Sequence, residues 1–204
     1  CAGRRWRRRC GVCWMPATEA HPASPAATQR LFFALWPDAD ARTALAALAQ
    51  DHARHNGCAV APTNLHVTLA FVGGVSAAQR QCLEAAAATV TAPAFSLKLD
   101  RLGFWARPRI LWAGTSAPPI EMMVLVKTLH AALMPCGFQP DPRPFQAHVT
   151  LARKAQRAPG VHAVSPIVWR ADTFCLVESV TGKRGVEYHV VRHWVLASVP
   201  SANP

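Results

Sequence analysis

Acidic residues are scarce in this sequence: 11 Asp and Glu stand against 22 Lys and Arg in 204 residues, giving a net charge of +11 and a pI near 10.2. That imbalance argues for an anionic partner. Charged residues are few altogether, 16% against 51% hydrophobic, which excludes a wholly disordered chain. No window reaches the roughly 18 uninterrupted apolar residues of a membrane span, so no membrane segment is expected and a cytoplasmic location is. Cysteine is too sparse and irregular for a secreted disulfide scaffold. The seven, an odd count, are expected to be buried or free thiols in a reducing compartment. Cys10 and Cys13 could be half a zinc site, but no second pair follows at finger spacing.

Residues 1–29 show no sustained periodicity. They hold Arg4, Arg5, Arg7, Arg8 and Arg9 against Glu19, then an Ala/Pro/Ser/Thr stretch of linker composition, with no apolar run long enough for a signal peptide. They are expected to be a disordered tail, either an extension without a folded role, Met15 being a plausible start, or a basic arm touching nucleic acid. Residues 30–204 carry +7 and are expected to form one domain.

Within that body Leu31-Phe32-Phe33-Ala34-Leu35-Trp36 has strand length and ends at Pro37. Asp38 or Asp40 can cap an Ala/Leu-rich helix to about Arg54, and an alternating strand follows over Leu65-His66-Val67-Thr68-Leu69-Ala70-Phe71-Val72, closed by Gly73-Gly74. A second helix starts at Ser76, with Gln79 completing a capping box and Cys82, Leu83, Ala86 and Val90 as its stripe. Phe95 to Leu102 alternates like a strand. The scheme then repeats: a strand at Arg109 to Ala113, prolines 118 and 119 at a helix start, a stripe of Met122, Leu125, Val126, Leu129 and Leu133 ended by Gly137, and a strand from Ala147 to Arg153. Further strands are read at 167–169 and 172–180, the latter making a hairpin with 186–196 through the basic turn at 181–185. This is an α+β domain of two pseudo-symmetric lobes, with helices outside two antiparallel sheets.

The pentapeptide His-Val-Thr-Leu-Ala occurs twice, at 66–70 and 148–152. Strand alternation puts His66 and Thr68 on one face, with Val67, Leu69 and Phe71 on the other, the core face; His148 and Thr150 are likewise opposed to Val149 and Leu151. Packed symmetrically, the halves would present two imidazoles and two hydroxyls to one cleft. One imidazole can then take a proton while the other gives one, and the hydroxyls can hold phosphate oxygens. With a basic body, an RNA phosphodiester is the natural substrate. Taken singly, His21, His52, His55, His130, His162, His189 and His193 read as core or surface residues. No Asp, Glu or Cys lies within three residues of either motif, so metal-free acid–base chemistry is expected rather than a zinc or iron site.

These motifs, with Leu31 to Pro37 and the run Pro62-Thr63-Asn64-Leu65 ahead of His66, resemble the two-histidine phosphoesterases, in the RNA 2',3'-cyclic phosphodiesterase or 2'-5' RNA ligase family. The resemblance covers about Arg30 to Leu196. It implies a bilobal α+β fold with a central cleft and hydrolysis of RNA 2',3'-cyclic phosphate ends to 2'-phosphomonoesters without metal; no cofactor is expected, and a monomer is. By the same resemblance His66 is the proton donor, His148 the proton acceptor, and Thr68 and Thr150 hold phosphate oxygens. Arg153 is a further candidate for phosphate, although strict alternation sets it opposite His148 and it would need a bulge to reach the cleft. Phe33 is either a core aromatic or a stacking surface for a base. The alternatives are ligation as the reverse reaction, or a non-catalytic RNA-binding module.

Overall fold

A computed structural model describes residues 28–54, 56–159, 164–183 and 185–197. Residues 1–27 of the expected 1–29 tail, the Cys10–Cys13 pair and Arg184 of the basic turn lie outside these residues, and the tail's expected end is too late, because Gln29 already pairs with Val75 in the first strand. Strand β1 (Gln29–Leu35) leads into α1 (Ala39–Ala53), where the Asp38 carboxylate accepts the Ala41 amide at 2.8 Å and so caps the helix. After the two-residue β2 (Cys58–Ala59) and a 3-10 turn at Pro62–Asn64 comes β3 (Val67–Val75). Its Gly73 and Gly74 continue the strand instead of ending it, pairing with Leu31 and Arg30. The Ser76 hydroxyl accepts the Gln79 amide at 3.2 Å and caps α2 (Ala77–Ala88), but the Gln79 side chain donates to the Cys136 carbonyl, so the reciprocal half of the capping box is not made.

The predicted strand at 95–102 is two strands in different sheets, β4 (Phe95–Leu99) and β5 (Arg101–Trp105). Then follow β6 (Ile110–Gly114), α3 (Ile120–Leu133), β7 (His148–Arg153), β8 (Ile167–Ala171), β9 (Thr173–Gly182) and β10 (Gly185–Val195). All five stripe residues of α3 are buried, and Gly137 ends the segment in the left-handed region at φ +85°.

The larger sheet runs β10-β9-β1-β3-β7-β6-β5, with β2 also on β7; β4 and β8 form the second. Each lobe contributes a strand, a helix and a His strand: β1, α1 and β3, then β6, α3 and β7. The lobes join in one sheet through a single pair, Val67 with Val149. Beyond that pair β3 and β7 part, and β2 takes the vacated side of β7, opposite Ala152 and Arg153. The core of sheet and helix side chains fills one side, including fully buried Leu31, Phe33, Leu45, Leu83, Leu125 and Leu151. A smaller cluster of Phe32, Ala34, Cys175 and Val177 lies apart from it.

The thiol expectation fails at two positions. Cys82 and Cys136 form a disulfide tying α2 to the turn after α3. Cys82 is therefore not part of the core stripe; Leu83 and Ala87 supply the buried face of α2. The sequence separation of 54 residues carries no signal at the motif level, because chain folding alone decides which thiols meet. Cys175 is a buried thiol as expected, and Cys58 is free and exposed.

Candidate active site

His148 opens β7, and His66 stands immediately before β3. Each ring is hung the same way. Nδ1–H of His66 donates to the Asn64 carbonyl at 2.7 Å, and Nδ1–H of His148 donates to the Gln146 carbonyl at 2.8 Å. A carbonyl can only accept, so the shared geometry fixes one tautomer in both neutral rings and leaves each Nε2 with a lone pair. His66 Nε2 lies 3.0 Å from Thr68 Oγ1. β3 and β7 meet at the single pair Val67 with Val149, so His66 and Thr68 flank that pair on one strand and His148 and Thr150 flank it on the other.

Both His strands carry a bulge at the same place. Between β1 and β3 the pairing passes from Ala34–Thr68 to Phe33–Ala70, leaving Leu69 extra; between β6 and β7 it passes from Trp112–Thr150 to Leu111–Ala152, leaving Leu151 extra. One added residue reverses the alternation beyond it. Ala70 and Ala152 are accordingly buried beside Leu69 and Leu151, and the next residues turn outward. Arg153 thereby joins the His148 face, the bulge it required being present. Phe71, placed on the core face by strict alternation, is instead 58% exposed. The Arg30 guanidinium lies 6.0 Å from its ring centre.

Phe33 has no surface to offer a base. It is fully buried against Phe174 and Trp194, because alternation along β1 points it into the core. Its neighbour Phe32 faces the site, with its ring centre 4.9 Å from that of His66. Trp36 stacks on the same imidazole at 5.6 Å, and Tyr188 meets it edge-on at 5.2 Å. The Asn64 side chain ties this cage together, donating to the Val186 carbonyl and accepting the Tyr188 amide. His148 has a thinner cover, chiefly Trp105 at 4.6 Å.

The proton affinities follow. Burial in the cage brings the His66 pKa down to about 4; its bond to Asn64 opposes that, while the His148 and Arg153 charges add to it. Burial also holds His148 below its ordinary value, against its bond to Gln146. Both rings are neutral at pH 7 without a ligand. A cleft of about 1140 Å³ opens between β3, the start of β7 and the proline-rich loop 138–146, with Thr68, Phe71, Trp105, His130, Phe145 and His148 among its walls.

Of the expected residues, His66, His148, Thr68, Thr150 and Arg153 come together on one face, and Phe33 does not. Phe71, Trp36, Tyr188, Trp105 and the loop 138–146 join the site without any sequence expectation that they would. For Phe71 a signal existed: two apolar residues in succession, Leu69-Ala70, interrupt the alternation, and a glycine pair follows.

Two imidazoles hung alike by Nδ1, His66 with a threonine hydroxyl at its Nε2, flank the one pair that joins the two halves of an antiparallel sheet, and they make up a phosphoester-handling site of the two-histidine kind. Residues 35–112 match the family described as LigT-like phosphoesterases, a span that includes the first motif. An RNA 2',3'-cyclic phosphodiesterase of Escherichia coli K12 is 33% identical over 174 residues, covering 82% of this chain and 97% of that protein. One of Archaeoglobus fulgidus is 29% identical over 136 residues, covering 65% and 76%. The crystal structure of E. coli LigT complexed with 3'-AMP superposes with a TM-score of 0.77 at 33% identity, covering 83% of this chain and 98% of that one. The chain belongs to the LigT-like phosphoesterase family.

Proposed function

We propose that this protein hydrolyses the 2',3'-cyclic phosphate at an RNA end to a 2'-phosphomonoester, using its two imidazoles and no metal. The activity borne by its relatives supports the reading. The observation that carries it is the matched pair of imidazoles, each held by Nδ1 on the carbonyl two residues earlier and each next to the one residue pair that joins β3 to β7.

The cyclic phosphate docks between Thr68 and Thr150, whose hydroxyls donate to its non-bridging oxygens, with Arg153 balancing the charge. His148 Nε2 takes a proton from water as the water oxygen bonds phosphorus. The bond from phosphorus to O3' breaks, and O3' takes the proton from His66 Nε2. The proton then resides on His148, and exchange with solvent resets the pair. Because His66 binds protons more weakly than an ordinary imidazole, it must be charged when substrate arrives; the phosphate anion favours that charged form. The exposed Phe71 ring on the cleft wall is the stacking surface for the terminal base. Both histidines come from one chain, so a monomer suffices.

Purified protein with EDTA is expected to convert RNA ending in a 2',3'-cyclic phosphate to a 2'-phosphate. Persistence of the cyclic end, or a strict requirement for added divalent metal, would reject the proposal. The profile of kcat/KM against pH is expected to be a bell with its optimum below 6.5, since both imidazoles titrate below that value in the free protein.

A further inference from the structure

The two bulges that re-aim Phe71 and Arg153 are built alike but tied down differently. In each the carbonyl of the extra residue is bonded outside the bulged pair of strands. On β7 the Leu151 carbonyl accepts the backbone amide of Val60 at 2.8 Å, just beyond β2. On β3 no strand fills the equivalent place, because β7 has already parted from it beyond Val67. There the Leu69 carbonyl is met at 2.9 Å by a side chain, Nε2 of His130 on α3. The carbonyl can only accept, so that ring carries its proton on Nε2. The same imidazole packs edge-on to Phe138, 5.1 Å away, at the start of the loop that forms the other wall of the cleft. One histidine on a helix thus holds both the backbone kink that turns Phe71 outward and the wall facing it.

We propose that His130 is a positioning residue for recognition of the terminal nucleobase: by fixing the Leu69 bulge it sets the direction of Phe71 relative to Thr68 and the phosphate. This rests on the phosphodiesterase reading above. His130 touches neither phosphorus nor the proton-transfer atoms, so its loss acts on base binding and leaves the chemical step largely alone.

The test compares steady-state kinetics on adenosine 2',3'-cyclic phosphate with those on the base-less 1-O-methylribose 2',3'-cyclic phosphate. Loss of one side-chain to backbone hydrogen bond predicts a KM for the adenosine substrate raised roughly 3- to 10-fold in His130→Ala, with kcat changed less than about twofold. The base-less substrate should show no comparable rise. His130→Gln, whose amide can donate to the same carbonyl, should recover most of the loss. In a Phe71→Ala background, His130→Ala should add little, because the ring it aims is gone. An equal rise in KM on both substrates, additive effects with Phe71→Ala, or a fall in kcat at constant KM would overturn the proposal. Amide hydrogen exchange across residues 69–72 gives a readout independent of activity. Exchange there should accelerate in His130→Ala and return towards wild type in His130→Gln, and unchanged exchange would remove the proposed tether. A wild-type protein inactive on both substrates, with exchange behaving as expected, would sink the enzymatic reading while leaving the tether standing.

Discussion

The His66 half and the His148 half share a pentapeptide, a ring suspended from the carbonyl two residues earlier, and a bulge at the fourth position of the motif. They differ in what covers the ring. His66 is enclosed by Phe32, Trp36 and Tyr188, the last delivered by β10, the outermost of three strands on the β3 side of the sheet, where the β7 side has two, β6 and β5. His148 leans mainly on Trp105. Duplication therefore supplied geometric equivalence, and the added strands removed electrostatic equivalence. In a free site holding one proton, that proton favours His148, the opposite of the arrangement needed for His66 to act as donor. Substrate binding has to reverse it. The lesson is that identical motifs on equivalent strands acquire separate roles through the dielectric that the rest of the fold builds around each.

Breaking the pair outright gives the largest effect. His66→Ala and His148→Ala should each lower kcat about 10²- to 10⁴-fold on cyclic-phosphate RNA. A substrate with sulfur in place of O3' sharpens the comparison, since a thiolate leaves without protonation. It should restore most of the rate to His66→Ala and little to His148→Ala, and the reverse pattern would exchange the two roles.

Next in size is the effect of the cage on stability. A histidine whose folded-state pKa lies below its unfolded one resists protonation in the fold. The stability linked to it is complete above pH 6.5 and lost as the pH falls towards 4. For His66 that loss amounts to about 3 kcal/mol by pH 4. Urea unfolding at pH 7 and pH 4 should show it, and His66→Leu should reduce the difference between the two. An undiminished difference would mean that other groups govern the acid limb.

The smallest effect tests the asymmetry itself. Tyr188→Ala opens one side of the cage to water, so NMR titration should find the His66 pKa risen from about 4 towards its ordinary 6.5, with His148 unmoved. An unmoved His66 would assign its low value to the neighbouring charges rather than to burial.

Much of the scaffold could be read from the residues. The buried stripe of α3 was visible in full from its spacing, as was the Asp38 cap of α1, because helix period and capping are local properties. The two His strands were visible because a repeated pentapeptide needs no tertiary information to be recognised. Phe33 takes the core one of its two alternatives, while Phe71 leaves the core face that strict alternation assigns it. An apolar run such as 31–36 does not say which of its faces is the core, and an alternating pattern fails wherever an extra residue enters the ladder. Arg153 required the matching bulge on β7, and the Cys82–Cys136 bond required α2 to meet the turn that follows α3.

The sequence by itself determined the duplicated lobe, the placement of each histidine beside its threonine, and so the kind of chemistry the face can perform, because strand period is a covalent-scale property that survives any packing. Tertiary structure alone decided that the strands meet at one residue pair and then part, that a bulge on each turns a new side chain outward, Phe71 onto the cleft wall and Arg153 onto the face of His148, and that one imidazole is more deeply covered than the other. Those outcomes depend on strand order and on the elements laid over the site, and no local run of residues encodes which distant segment will cover it.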